Sequence, residues 1–481
     1  VRVTAVNSAP VASRGAYVLY WMIAARRTSW SFALDHAIAR AKELERPIVV
    51  FEPLRIGYRW ASDRLHAFVL QGMRDNAAAF AKANITYLPY VERTAGEGKG
   101  LLAELAKRAC LVITDEQPGF FLPHMVAAAA SLPVLLEQVD GNGLLPLRAT
   151  DRAFPSAALF RRHLQKTIAP HLVTVPKATP LARVPSTLRD GEVASAITKR
   201  WSFTADVDLS SLAIDHSVPP APIIGGAVAA RRVLDDFIAT KLRRYGDGHN
   251  HPDDDAASGL SPWLHFGHVS AHDVASRVWA DASWDPSRVA DAKVTGSREG
   301  WWGLPPSHES FLDELITWRE LGYGFCFHRT DYDRYSSLPD WAQKTLGDHA
   351  SDPRPVTYTP KQLEAAATAD EVWNAAQRQL VAEGRIHNYL RMLWGKKILE
   401  WSPTPQKALA TLIDLNNRYA IDGRDPNSYS GIFWTLGRFD RPWAPVRPIF
   451  GAIRYMSSTN TVKKLHIKKY LARWSAQPRL L

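Results

Sequence analysis

The sequence predicts an α/β domain built on a doubly wound parallel sheet, followed by a domain that is all helix. Three observations carry this. Over the first 140 residues, apolar runs of strand length alternate with amphipathic helical stretches. Residues 173–225 then turn Pro-rich and lose apolar periodicity. From Gly226 onward the pattern is mostly helical. Strands that alternate with helices pair in parallel, with helices on both faces. The expected organisation is an α/β domain over 1–172, a linker over 173–225 wrapped on the surface, and a helical domain over 226–481.

The elements follow in order. "AYVLYWM" (16–22) is a β-rich run. "SFALDHAIARAKELE" is an amphipathic helix, and "RPIVVFEP" a strand. "DRLHAFVLQGMRDNAAAFAKA" is the next helix and "ITYLPYV" (85–91) the next strand. "LLAELAKRA" with "CLVITDE", and "HMVAAAAS" with "LPVLLEQVD", repeat the alternation. "GEGKG" (96–100) lacks both the G-x-G-x-x-G spacing and the GK[ST] of a phosphate loop, so it reads as a polar turn. The C-terminal "NTVKKLHIKKYLARW" is basic and amphipathic, a solvated helix face or a phosphate contact.

Composition bounds the function. The chain carries a formal charge of +11, which favours a polyanionic partner, nucleic acid first. Seventeen tryptophans, most of them in the helical part, suit a large planar ligand or stacking on bases. Two distant cysteines, Cys110 and Cys326, leave no basis for an iron–sulfur or Cys-rich zinc site, and no metal is expected. They fit a reducing, cytoplasmic compartment. No apolar run reaches membrane-helix length, and the N-terminus has no apolar leader core.

Four segments of the helical part stand out. "DAASGLSPWLHFGHVS" (255–270) places small residues ahead of Pro262 and a helical run. Free backbone N–H groups there would suit a pyrophosphate; a plain helix cap is the simpler reading. "SFLDELITWRELGYGFCFH" (310–328) puts Glu314 and Trp318 four apart on one helix face. "WNAAQRQLVAEGRIHNYLRMLWGKKILEW" (373–401) holds Trp373, Trp394 and Trp401, with a helix break near Gly384. All three indoles should be buried, with Trp394 and Trp401 two turns apart on one helix. "LNNRYAIDGRDPNSYSGIFWTLGRFDRPWAPVRPIFG" (415–451) is dense in Asp, Asn, Arg and Trp between apolar helices, a pattern that lines sites.

Here a resemblance becomes specific. "SGLSPWLHFG", "PDWAQKTL", "VWNAAQRQL", "KKILEW", "IDGRDPN" and "RPIFGAIRYM" resemble, in order, the flavin domain of class II cyclobutane pyrimidine dimer photolyases. The likeness runs from about Gly225 to Tyr470 and is weaker in the N-terminal domain. It implies the photolyase/cryptochrome fold, FAD as cofactor, an antenna pigment (a deazaflavin or folate), and UV-damaged DNA as partner of a monomer. It implies light-driven electron transfer from reduced FAD to a dimer flipped out of the duplex.

Residue by residue, the resemblance implies that Tyr245, Ser258, Gly259, Leu260, Ser261 and Leu264 hold the FAD phosphates and nearby groups. Arg391 would pair with Asp422 beside the flavin ring, with Asn416 at its N5 and Asp425 close by. Glu314 would hydrogen-bond the lesion's 5′ side, as a protonated acid or through a shared proton, between the stacking indoles Trp318 and Trp434. Arg441, Trp443 and Arg447 would contact DNA where the flipped bases leave a gap. Trp373, Trp394 and Trp401, with Tyr358 as terminus, match the electron-transfer residues of class II enzymes.

Two departures stand out. "WMIAARRTSWSFAL" retains Trp21, Met22, Arg27, Ala33 and Leu34 of the family pattern, but has Ala24-Ala25 and Trp30-Ser31 where that pattern is polar. "TDEQPGFF" also diverges, so antenna binding should be lost or a different pigment bound. Gly324 stands where the family often has an amide. Two alternatives compete with repair: a cryptochrome-like photoreceptor, and a nucleic-acid-binding flavoprotein without photochemistry. Glu314, Trp318, Trp434 and Arg441 argue against the first, and the three wire tryptophans against the second.

Overall fold

In β2 (Tyr17–Trp21), every residue is buried, although alternate residues of a strand point to opposite faces. Tyr17, Leu19 and Trp21 enter one apolar core, and Val18 and Tyr20 enter another. A strand covered on both faces needs no polar side, and this is the signature of a parallel sheet clothed by helices. A computed structural model, which describes residues 1–289 and 292–475, shows that sheet. The chain forms two compact units, each described by itself below.

The first unit comprises residues 1–151, 167–235 and 260–290. Its strands β1 (Val3–Ala5), β2, β3 (Ile48–Leu54), β4 (Thr86–Val91), β5 (Ala109–Glu116) and β6 (Leu136–Asp140) lie in the order β1-β6-β5-β2-β3-β4. Five are parallel. The short edge strand β1 pairs antiparallel with β6, an addition that the sequence reading did not foresee. Three residues give too little alternation to register. Helices α1 (Phe32–Leu44), α2 (Asp63–Lys82), α3 (Leu101–Ala106) and α4 (Leu122–Ala128) fall where periodicity placed them. Residues 95–100 are turn, as "GEGKG" suggested.

The chain winds from β2 outward to β4, then returns to β5 on the other side of β2. The sheet therefore changes direction between β2 and β5. Beyond their ends lies the divergent segment. The carboxylate of Asp115 accepts three successive backbone N–H groups, from Ile23, Ala24 and Ala25, at 2.8–2.9 Å, and the Tyr20 hydroxyl at 2.8 Å. The segment is held by its backbone, so alanines at 24 and 25 suffice. Ser31 caps α1 by accepting from Leu34 N–H. Gly267 lies so close to Ala24 that a Cβ would meet the Ala24 carbonyl oxygen at 1.9 Å.

The 173–225 stretch lies wholly in the first unit and is mostly loop, interrupted by short helical turns. Val184 and Leu188 enter one core, Ile197 and Trp201 the other, and Leu212 a third cluster beside α2 residues. It is a strap pinned by spaced apolar anchors.

The second unit comprises residues 152–166, 236–259 and 291–481. It is helical, with long helices over Glu371–Glu383, Asn388–Trp401, Pro405–Tyr419 and Pro426–Thr435. The basic C-terminal stretch forms two short helices, Ser458–Lys464 and Lys468–Trp474, and not one continuous face. Asp253 accepts the backbone N–H groups of Lys469 and Tyr470 and so docks the last helix.

Replacing Asp115 with Ala strands three N–H groups at once, two of them buried and one part-buried. The expected cost is about 3 kcal/mol or more, measured by chemical denaturation. A loss under ~1 kcal/mol would show that the segment finds other acceptors.

Candidate functional site

In the second unit, polar residues gather around one guanidinium. Arg391, in the first turn of the Asn388–Trp401 helix, donates from Nη1 to both carboxylate oxygens of Asp422 at 3.0 and 3.1 Å. Its Nη2 donates to the Asn416 side-chain oxygen and to Ser428 Oγ. The Asn416 amide in turn donates to the Gly423 carbonyl at 2.8 Å and to Ser428 Oγ at 2.9 Å. Asn416 and Asp422 are buried and Arg391 half-buried, so each charge meets a partner as burial requires. Ser428 is a member that sequence reasoning missed; serine in a turn-rich segment carries no signal of its own. Asp425 caps the Pro426–Thr435 helix through Asn427 N–H and accepts from the Tyr323 hydroxyl at 2.8 Å.

Glu314 lies in a π-helical turn, Asp313–Trp318, that interrupts one long helical run from Pro306 to His328. Such insertions recur at functional sites because they re-aim side chains. Glu314 and Trp318 are both half-buried, while Leu315, Ile316 and Thr317 between them are buried. Asp313 is gripped by Arg161 in a two-point pair at 2.7 and 2.8 Å. The Glu314 carboxyl has no hydrogen-bond partner among the described residues. Burial pushes its pKa up to about 7, helped by the charge of Asp313 and opposed by Arg161 and Arg298. It therefore holds its proton near neutrality and can donate a hydrogen bond. Tyr245, buried and stacked on His249 at 4.4 Å, is pushed well above its ordinary pKa by burial and then by Glu314.

The expected phosphate segment straddles the division of the chain: Ser258 and Gly259 belong to the second unit, and Leu260, Ser261 and Leu264 to the first. The helical run after Pro262 is only five residues, Ser261–His265. Gly259 has φ +68, and a Cβ there would meet only Arg385 Nη1, at 3.7 Å. Open backbone beside a guanidinium suits a phosphate. With the donors and acceptors around Arg391, the second unit's residues fit a flavin dinucleotide.

The tryptophans form a line, but not in chain order. Trp394 and Trp373 stack in parallel planes with centroids 6.5 Å apart. Trp373 meets Trp401 edge-on at 5.4 Å, and Tyr358 meets Trp401 edge-on at 5.1 Å. The order is thus 394, 373, 401, 358. Trp373 comes from the preceding helix, which Gly384 ends in a left-handed cap, and it fills the gap between two indoles on the next. Trp373 Nε1 donates to the Trp394 carbonyl at 3.0 Å, and Trp394 Nε1 to Gln377 Oε1 at 2.8 Å.

Trp434 is half-buried near the end of its helix. Arg441 lies 4.7 Å and Arg454 4.1 Å from the Trp443 ring, and Trp443 Nε1 donates to Asp440 at 3.1 Å. Arg441 and Arg447 are exposed. A Cβ at Gly324 would meet nothing within 4 Å, so its helix leaves room for a larger side chain there. His251, Asp254 and His466 gather within 4.8 Å. One ring nitrogen of each histidine ties the 251–254 turn to residue 466: His466 N–H donates to His251 Nδ1, and His466 Nδ1 bonds Asp254. No helix among the described residues is long and apolar enough to cross a membrane.

No family model matches the chain. It is 34% identical over 466 residues to the deoxyribodipyrimidine photo-lyase of Methanothermobacter thermautotrophicus, covering 96% of this chain and 95% of that protein. It is 32% identical over 470 residues to the enzyme of the same name from Arabidopsis thaliana, covering 95% and 88%. Among solved structures, a bacterial class III photolyase from Agrobacterium tumefaciens superposes with a TM-score of 0.68 at 17% identity, over 96% of this chain and 86% of that one, which shows a shared fold.

Glu314 keeps its proton to about pH 7 in the folded chain but loses it near 4.5 when unfolded. Stability present at low pH is therefore lost as pH rises through 7. Glu314→Gln should gain about 1–2 kcal/mol at pH 8 and change little at pH 5. Denaturation curves at both values check this; equal effects would mean Glu314 titrates normally.

Proposed function

The chain belongs to the deoxyribodipyrimidine photo-lyase family, and from that premise we propose that it is a class II enzyme repairing cyclobutane pyrimidine dimers in DNA. Its activity is photolyase-type DNA repair. The observation that carries the class II reading is the unbroken contact line Trp394–Trp373–Trp401–Tyr358, at the positions where that class keeps its electron-transfer residues.

FAD, when bound and reduced, supplies the light-driven electron that opens the cyclobutane ring. The chain's own residues do the rest. Arg391 and Asp422 would present a paired cation and carboxylate to the flavin ring edge, with Asn416 held beside them by Arg391, Ser428 and the Gly423 carbonyl. Gly259, Ser258 and Arg385 serve the phosphates. Glu314, in its acid form, donates to a carbonyl oxygen of the flipped dimer and steadies charge that develops there. Trp318 and Trp434 offer ring faces to the two pyrimidines; a dimer flips at less cost than a paired base. Arg441, Arg447 and Trp443 stand exposed or half-exposed to meet phosphates and occupy the space the flipped bases leave. The charge of +11 supports the same partner.

With chemically reduced flavin and blue light, the protein should restore absorbance near 260 nm in dimer-containing DNA. Absence of recovery would overturn the repair reading and favour a photoreceptor. Trp373→Phe should slow photoreduction of oxidised flavin at least about tenfold, because it opens the middle of the line, yet spare repair by pre-reduced protein. Equal loss of both would make Trp373 a packing residue only.

A further inference from the structure

The Asn388–Trp401 helix carries a lysine with no access to water. Lys396 is 0% exposed. Its Nζ donates to the Thr435 carbonyl at 2.8 Å and lies 4.6 Å from the centre of the Trp434 ring. Thr435 is the last residue of the Pro426–Thr435 helix, where free carbonyls and the helix dipole attract a cation. The ammonium thus grips two adjacent residues at once, one by its carbonyl and one by its ring. Neither contact serves the electron line or the Arg391 cluster.

We propose that Lys396 is a positioning residue for lesion recognition: its ammonium fixes the Trp434 indole against the helix end, so that the ring is already set when a flipped pyrimidine dimer stacks on it. This rests on the reading of Trp434 given above. Arg454 also lies over the ring, at 5.5 Å, but Lys396 is the nearer cation and the one anchored to the adjacent carbonyl; an indole held in advance spares a lesion the cost of ordering it on binding.

Lys396 also makes the hold dependent on pH. Burial pushes it down to about 7; Asp440 opposes this and Arg454 adds to it. The groups facing Nζ are the Thr435 carbonyl, the Trp434 ring, Asp440 and Arg454, the last two paired with each other at 2.8 Å. The hold is present while Lys396 is protonated and is lost as pH rises through that range.

The test compares binding of a short duplex bearing one thymine dimer with binding of the undamaged duplex, between pH 6 and pH 9. It is run in a Glu314→Gln background, so that Glu314 does not titrate. Preference for the lesion should fall about three- to tenfold as pH rises, and adding Lys396→Met should hold it flat at the lower value. Unchanged preference and an unchanged profile with Lys396→Met would overturn the proposal. Trp434→Ala separates the two readings: if it leaves lesion preference intact, the stacking role itself falls. Should Lys396→Met fail to fold, NMR of the unmodified protein decides. A lysine and the Trp434 indole shifting with one midpoint near pH 7 would support the proposal, and an indole unmoved across that range would overturn it.

Discussion

A guanidinium withdrawn from water must find acceptors, and the second unit is arranged to supply them to Arg391. Its side chain reaches Asp422 after the Pro405–Tyr419 helix, Asn416 within it, and Ser428 at the start of the Pro426–Thr435 helix. Those three helices carry Trp394 and Trp401, Asn416, and Trp434. A single planar cation therefore links the helices that carry the proposed electron line, the amide proposed for the flavin edge and the indole proposed to stack on the lesion. Lysine could not take its place, because one ammonium lacks the fork that spans these acceptors.

Much of this was legible because periodicity and burial agree. The five parallel strands and α1–α4 emerge from apolar runs whose lengths and turns leave few alternatives. The tryptophans of 373–401 were readable as core, and Gly384 as the break between two helices. The order of contact was not. Sequence spacing says that Trp394 and Trp401 share a helix; only helix packing inserts Trp373 between them.

Other features escaped for identifiable reasons. Lys396 reads as a surface lysine beside Lys397, although it sits three residues from both Leu393 and Leu399 and so on a buried face. That spacing was the available signal. The π-helical turn at Glu314 has no compositional mark. The Asp115 anchor is invisible because its partners are backbone N–H groups, indifferent to the side chains that diverge at 24 and 25. Polar losses there read as damage in sequence; in the fold they touch none of the bonds that shape the segment.

The acceptors of the inner indole N–H groups have a further meaning for the proposed electron line. Trp373 and Trp394 donate to a peptide carbonyl and a glutamine amide, neither basic enough to take a proton. An oxidised indole there stays a cation and remains free to pass its vacancy on. Tyr358 differs: it is half-buried in a largely exposed stretch, and its hydroxyl oxygen accepts from Ala369 N–H, leaving its own proton free for water. In the proposed line, departure of that proton would close the way back. The direction of travel would then be imposed less by the rings themselves than by the one place along them where a proton has somewhere to go.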